Sequence, residues 1–183
     1  AVVVRNRVGS TRSDTAWLSV LPLRRPPEIQ WISGGHAGEI NQVVFSPDGR
    51  LLASCSDDLS LKLWDVARGT LARTLMGHSR DVRSIAFSPD GQVLVSGSQD
   101  GQLSLWRASD GLCLVESFGS HPELRSVVFS PDGQTVASGA GSASVACTIR
   151  LWALTNGALR AELSGHSGEV RSMAFSPDGG TLA

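Results

Sequence analysis

Short runs in which polar and apolar residues alternate recur along this chain of 183 residues. Residues 60–64 read Ser-Leu-Lys-Leu-Trp, the period-two pattern of a strand with one buried face. Residues 39–45 and 50–56 are apolar-rich runs joined by Ser-Pro-Asp-Gly, in which Pro at the second position and Gly at the fourth suit a type I turn. Residues 70–75 form a fourth run. Four such runs, each about ten residues after the last, predict an antiparallel meander of four strands, named a to d.

The same set of runs repeats at a nearly constant interval. Phe-Ser-Pro-Asp-Gly begins at Phe45, Phe87, Phe129 and Phe175, at intervals of 42, 42 and 46 residues. Two other markers keep the same phase, a Gly-His pair before strand a and a tryptophan at the end of strand c. The pairs contain His36, His78 and His166, and the tryptophans are Trp64, Trp106 and Trp152. A fixed period in this range is typical of solenoids and propellers.

Together the three markers resemble the WD repeat, and residues 28–183 are similar to part of a WD40 β-propeller. The resemblance implies an all-β fold of four-stranded antiparallel blades, with strand a nearest the axis. We expect blades at residues 39–76, 81–118 and 123–163, a partial blade at 169–183, and an outer strand d of a preceding or closing blade at 28–34.

Full propellers have about four to eight blades, so three and a half blades predict an incomplete ring. We therefore expect a fragment of a longer protein. A short chain that completes its ring by oligomerisation is the alternative.

Residues 1–27 do not follow the repeat. They hold five arginines against one acid, Asp14, together with three prolines. This composition is typical of a linker from an upstream segment, and a degenerate blade or a basic arm for an acidic partner are the alternatives.

Composition narrows the possible functions. A net charge of −1, with 18% charged and 41% hydrophobic residues, indicates neither a nucleic-acid surface nor a membrane surface. Cys55, Cys113 and Cys147 are odd in number and widely spaced, which argues against a disulfide framework or a zinc site. We expect reduced cysteines in a cytoplasmic protein without cofactor or metal.

The resemblance also implies a buried structural tetrad in each blade. The histidine of Gly-His bonds an aspartate in the b–c turn, and a serine on strand b links the pair to the strand-c tryptophan. A His–Asp–Ser set looks like a catalytic triad, but its repetition with the blades favours a structural role. The matching residues are His36, Ser54, Asp58 and Trp64 in blade one, His78, Ser96, Asp100 and Trp106 in blade two, and His166 in the partial blade.

Blade three departs from this pattern. Its b–c connection, residues 139–146, is four residues longer and contains no aspartate, and His121 is eight rather than nine residues before its Phe. We expect the tetrad to be reduced to Ser138 and Trp152, with His121 displaced. Blade three should therefore be the least stable of the three blades. The longer loop is either a binding insertion or neutral drift.

A ring of charged residues recurs at the start of strand a. An acid stands six residues before each Phe, and Asn or Arg stands four before it. Positions two apart on a strand share a face, so these side chains meet near the mouth of the central channel. The resemblance implies that they contact partners, together with the residue before the turn aspartate. Alternatively, they pair with one another across neighbouring blades. The candidate protein-binding top face is Glu39, Asn41, Asp57, Asp81, Arg83, Gln99, Glu123, Arg125, Glu169 and Arg171.

These features predict a non-catalytic scaffold for protein–protein interaction, within a larger modular and possibly signalling protein. The expected partner is a protein or peptide, and the open blade edges also predict self-association. The alternative is a propeller domain of a hydrolase or oxidoreductase whose active-site residues lie outside this fragment. The sequence contains no phosphate-binding glycine loop and no metal-ligand spacing.

Overall fold

The computed structural model of the chain describes residues 3–4, 18–19, 34–141 and 147–183. The expected outer strand at residues 28–34 lies, apart from residue 34, outside the described residues. Two short strands precede the repeats: β1 (Val3–Val4) pairs antiparallel with β2 (Leu18–Ser19).

Three four-stranded antiparallel sheets follow, each with its strands paired in chain order. Blade one contains β3 (Ile40–Phe45), β4 (Leu51–Ser56), β5 (Ser60–Asp65) and β6 (Thr70–Met76). Blade two contains β7 (Val82–Phe87), β8 (Val93–Ser98), β9 (Gln102–Arg107) and β10 (Cys113–Ser120). Blade three contains β11 (Leu124–Phe129), β12 (Thr135–Ala140), β13 (Cys147–Ala153) and β14 (Leu159–His166).

The expected fold class is confirmed, because the sheets are antiparallel blades arranged in an open rather than a closed ring. The described residues contain no α-helix. Among them, accordingly, no helix has the length and apolar character needed to cross a membrane.

The fourth repeat begins a further blade against blade three. Phe175 and Leu182 form one antiparallel bridge, and the residues beside them exchange two backbone hydrogen bonds, between Ala174 and Ala183. Val170 and Met173 are buried against Ala137 and Ile149 of blade three. The partial blade therefore covers one face of its neighbour.

The Ser-Pro-Asp-Gly segments are tight turns that join strand a to strand b. In blade one, Gly49 N donates to Ser46 O at 2.8 Å, the i to i+3 bond of a β-turn. Asp48 Oδ1 accepts from Ser46 Oγ at 2.6 Å and from Arg50 N at 3.0 Å. Gly49 has a φ of 70°, a left-handed conformation that glycine adopts without a steric penalty.

The hydrophobic core lies between blades. Leu61 and Leu63 of β5 pack with Val82, Ile85 and Trp106 of blade two, all at most 2% exposed. An equivalent layer joins blade two to blade three, so each blade buries its faces against its neighbours.

Side-chain hydrogen bonds join the inner strands, whereas the three sheets share no backbone ladder. Gln42 Oε1 on β3 accepts from Ser84 Oγ at 2.9 Å and from Ile85 N at 2.8 Å, both on β7. Ser84 Oγ in turn accepts from Val127 N on β11 at 3.0 Å. We call this series the inner-strand link. It fixes the distance between neighbouring a strands and therefore positions the top face.

Candidate protein-binding face

The structure brings the four tetrad residues of blade one together. His36 Nδ1 lies 2.9 Å from Asp58 Oδ2, and His36 Nε2 lies 2.8 Å from Ser54 Oγ. Trp64 Nε1 donates to the same Ser54 Oγ at 2.9 Å. An indole can only donate and a carboxylate can only accept. Ser54 therefore donates to Nε2, and Nδ1 carries the proton that faces Asp58.

Blade two repeats this geometry. The corresponding distances are 3.0 Å for His78 Nδ1 to Asp100 Oδ2, 2.7 Å for His78 Nε2 to Ser96 Oγ, and 2.8 Å for Trp106 Nε1 to Ser96 Oγ. Ser54 and Ser96 are fully buried, so neither hydroxyl is open to a substrate from solvent. The arrangement can hold the Gly-His loop against the blade.

The aspartate of blade one is held as an anion. Burial alone would raise the pKa of Asp58, but hydrogen bonds from Ser60 and from the backbone of Ala37, with the His36 ring, lower it to about 2. Burial lowers the pKa of His36 in spite of that neighbouring carboxylate. The pair therefore consists of an ionised aspartate and a neutral imidazole near pH 7.

Blade three corrects one expectation. His121 is not displaced: it is 1% exposed, and its Nδ1 lies 3.1 Å from Ser138 Oγ. Trp152 Nε1 donates to Ser138 Oγ at 2.8 Å, as in the other blades. The missing aspartate is replaced by Thr148, whose Oγ1 lies 2.7 Å from His121 Nε2. The ring is thus reversed, with Nδ1 rather than Nε2 on the serine.

His166, the histidine of the fourth repeat, ends β14 and is exposed. In blades one and two the serine follows the histidine by 18 residues, which from His166 falls just beyond residue 183. The described residues therefore show no tetrad around His166. Of the b–c connection at residues 139–146, residues 142–146 lie outside the described part.

On the top face, Arg83 is surrounded by partners from blades one and two. Its Nη1 donates to Asn41 Oδ1 at 2.8 Å and lies 3.2 Å from Asp57 Oδ1, and its Nη2 lies 2.7 Å from Asp81 Oδ2. With the Gln99 amide oriented so that its oxygen faces Arg83, that oxygen accepts from Nε at 3.0 Å and from Nη2 at 2.9 Å. Asn41 Nδ2 also donates to Asp57 Oδ1 at 2.7 Å.

Arg125 and Arg171 share a single carboxylate. Arg125 Nη2 lies 3.2 Å from Glu169 Oε1, and Arg171 Nε lies 3.1 Å from Glu169 Oε2. Within the described residues, the carboxylates of Glu39 and Glu123 form no hydrogen bond or ion pair. The structure therefore pairs most, but not all, of the top-face charges with one another. Arg83–Asp57 and Arg125–Glu169 connect neighbouring blades, whereas Arg83–Asp81 and Arg171–Glu169 lie within one repeat.

Two contributors to these contacts are not evident from the sequence markers. Ser84 of the inner-strand link belongs to a position three residues before each Phe, which reads Gln, Ser, Ser and Ser along the chain, and this recurrence is a usable signal. Thr148 stands four residues before its tryptophan, as Ser60 does in blade one. Ser60 Oγ lies 3.2 Å from His36 Nδ1, so blades one and three share a hydroxyl near the histidine, whereas blade two has Gln102 at this position.

The described residues contain no cluster of three or more His, Cys, Asp or Glu side chains that could hold a metal ion. Burial raises the pKa of the Cys55 thiol to about 12, which makes it a poor nucleophile.

Comparison with known proteins agrees with this architecture. The family model described as WD domain, G-beta repeat matches residues 28–65, 69–107, 112–153 and 157–183. A stretch of 53 residues is 43% identical to the Lissencephaly-1 homolog of Caenorhabditis briggsae and covers 29% of this chain and 13% of that protein. A second stretch, of 41 residues, is 49% identical to the WD40 repeat-containing protein HOS15 of Arabidopsis thaliana. It covers 22% of this chain and 7% of that protein.

A third stretch, of 58 residues, is 41% identical to WD repeat-containing protein 36 of Homo sapiens and covers 32% of this chain and 6% of that protein. The matched stretches thus span between 6% and 13% of the length of these relatives. Four consecutive family matches, three four-stranded blades and the repeated His–Ser–Trp contacts lead to one assignment. The chain belongs to the WD40 family, whose unit is the WD domain, G-beta repeat.

Proposed function

We propose that this part of the protein is a non-catalytic scaffold that binds a protein or peptide on its top face. The observation that carries the proposal is that partly exposed charged side chains from four consecutive repeats lie at the same end of the a strands. Asp57, Asp81, Arg125 and Glu169, one from each repeat, have side chains between 24% and 30% exposed. WD40 repeat proteins generally act as protein-interaction scaffolds, which supports this interpretation.

The acidic and basic side chains of the top face determine which charges a partner should carry. Acids and arginines alternate around the surface, so no large field of one sign is available to a polyanion. A protein surface with both acidic and basic groups is the complementary ligand. We further place the protein in the cytoplasm, for which the reduced thiols of Cys55 and Cys113 are the supporting feature.

The buried hydroxyls favour a scaffold over an enzyme. The side chains of three serines are each 0% exposed: Ser54, Ser96 and Ser138. Each hydroxyl is hydrogen-bonded to a tryptophan and to a histidine. The wider setting, a modular signalling protein, stays a prediction, as does self-association through the open blade edges.

Site-specific photo-crosslinking tests the proposed face. A photoreactive amino acid at Glu39, exposed on the top face, is compared with one at Asp90, exposed in the turn at the opposite end of its blade. In lysate, we expect discrete protein adducts from the Glu39 position and none from the Asp90 position. Equal adducts at both positions, or none at Glu39, would rule out a top-face binding site. Sedimentation of the uncrosslinked chain measures self-association separately.

A further inference from the structure

The top face contains two arginines at the same place in successive repeats, but with different surroundings. Arg83 and Arg125 each stand four residues before their Phe. A guanidinium has five N–H donors. The contacts of Arg83 with Asn41, Asp57, Asp81 and Gln99 engage Nε, Nη1 and Nη2 together. Arg83 is therefore saturated by the protein itself and connects blade one to blade two.

Arg125 is much less constrained. It forms one hydrogen bond within the described part of the chain, from Nη2 to Glu169. Its Nε is shielded from solvent and has no hydrogen-bond partner among the described residues. A buried donor without an acceptor is unfavourable, because it has lost its water without replacing it.

The difference arises because the counterparts of three of the four Arg83 partners, Asp57, Asp81 and Gln99, do not contact Arg125. The counterpart of Asp57 is Gln99, whose amide is already engaged by Arg83 and Asp81. The counterpart of Gln99 is Gly141, which has no side chain. The counterpart of Asp81 is Glu123, where the backbone has a φ of 51° and the carboxylate forms no ion pair with Arg125. The segment from His121 to Phe129, which contains Glu123, is also one residue shorter than its counterparts.

The balance of charge also differs across the face. On the side of blades one and two, two carboxylates, Asp57 and Asp81, surround one guanidinium. On the side of blades three and four, the carboxylate of Glu169 contacts two guanidinium groups, and the carboxylate of Glu123 contacts neither of them within the described residues. Arg171 is 83% exposed and Arg125 is 24% exposed, so both can be reached from solvent. An anionic group is therefore favoured beside Arg125 and a cationic group beside Asp57.

We propose that Arg125, supported by Arg171, binds a carboxylate of an acidic side chain in the protein partner, whereas Arg83 serves only to hold blades one and two together. This inference rests on the proposed function and specifies the partner chemistry of the same face. A carboxylate can accept two parallel N–H bonds from one guanidinium. Arg125 offers that pair once it turns towards solvent, which breaks one hydrogen bond within the described part of the chain, the bond to Glu169.

The inference predicts the orientation of the ligand as well. The acidic part of the partner lies over blades three and four, and a basic part lies over Asp57 of blade one. Arg125 is thus a specificity-determining residue for the sign of the ligand at that end of the face.

The side-chain Nε–H signals of the two arginines provide the test, since both are observed in one NMR sample of the full chain. The probe is a blocked peptide, acetyl-(Asp)4-amide, and its control is acetyl-(Asn)4-amide, with the same backbone and length. We expect the aspartate peptide to shift the Arg125 signal while the Arg83 signal stays in place, and the asparagine peptide to shift neither. No shift at Arg125, or an equal shift at Arg83, overturns the proposal. A larger shift with inorganic phosphate than with the peptide overturns the assignment of a carboxylate.

Matched variants separate binding from folding. R125Q is expected to weaken binding of the aspartate peptide at least about tenfold, the scale of a lost charge-assisted pair. R83Q is expected to lower the melting temperature and leave peptide binding unchanged. If R83Q does not fold, the comparison of the two wild-type signals still decides.

The proposed function and this inference fail in different ways. If R125Q binds the aspartate peptide like wild type, or if the R125Q chain with the photoreactive group at Glu39 gives the wild-type adducts in undiminished yield, the scaffold stands and the role of Arg125 is wrong. If wild type gives no adducts at Glu39, the proposed function itself is wrong.

Discussion

The Nε2 atom of His121 lies 2.7 Å from the hydroxyl of Thr148, where blades one and two present an aspartate to their histidine. A neutral hydroxyl thus takes over a contact that a carboxylate makes elsewhere. A hydroxyl can both donate and accept, so the imidazole of His121 can be satisfied without an ionised neighbour. Blade three keeps a complete buried network with a different charge.

Thr148→Val tests whether that hydroxyl holds His121. Valine keeps the shape of threonine but leaves His121 Nε2 without a partner, and Nε2 is buried. We expect the free energy of unfolding in urea to fall by about 1–3 kcal/mol, the range for a buried unsatisfied polar group. Thr70→Val, at an exposed position that starts β6, is the control and should change stability far less. Similar small losses in both variants would show that the Thr148 contact contributes nothing.

Asp100→Ala tests the aspartate of blade two. Asp100 accepts from His78 Nδ1 at 3.0 Å, from Ser79 N at 2.9 Å and from Gln102 N at 2.9 Å, and removing its carboxylate leaves the buried His78 Nδ1 without an acceptor. We expect a loss of about 1–3 kcal/mol in chemical unfolding. Asp110→Ala, in an exposed turn of the same blade, is the matched control and should be milder. A loss no greater than that of the control would contradict a structural role for the buried pair.

Acidification should destabilise the fold through His121. Burial, and then the positive charge of Arg150, lower the pKa of His121 to about 4 from its usual 6.5. Between these values the unfolded chain binds a proton that the folded chain resists, so stability is full above about pH 6.5 and declines as the pH falls towards about 4. Urea unfolding at pH 7 and pH 5 should show this decline, and His121→Gln should make it shallower. An unchanged slope in the variant would exclude His121 as a source.

Gly97→Ala should destabilise the junction of blades two and three. A Cβ at Gly97 would lie 2.8 Å from Val127 Cγ1 and 3.5 Å from Leu124 Cβ, inside the buried layer. Overpacking of this kind costs about 1–3 kcal/mol. Gly168→Ala, where no atom lies within 4 Å of the added Cβ, is the control for thermal unfolding. Equal melting temperatures for the two variants would mean that the junction accommodates the added methyl group without loss of stability.

Much of the fold could be predicted because the sequence pattern of one blade occurs several times along the chain. The Ser-Pro-Asp-Gly turns, the alternation in residues 60–64 and the tryptophans each recur in phase, so the assignment of four-stranded blades rests on several copies. The residues around His36 and His78 could be identified for the same reason, since serine, aspartate and tryptophan stand at identical spacings.

The exceptions could not be predicted in this way. Thr148 follows a lengthened b–c connection, so counting from the consensus aspartate misses it, and replacement of a carboxylate by a hydroxyl leaves no mark in the repeat. The difference between Arg83 and Arg125 depends on the backbone at Glu123, with its φ of 51°, and on the orientation of one amide, at Gln99. Both are three-dimensional properties of residues that look equivalent in the sequence.

The inner-strand link has a consequence for how such a chain can change in length. Each of the two junctions between complete blades pairs a side-chain oxygen on one a strand with a backbone N–H on the next, as Gln42 with Ile85 and Ser84 with Val127 show. A duplicated repeat would bring both groups with it. The number of complete blades can therefore change by whole repeats without loss of this contact at the junctions between them.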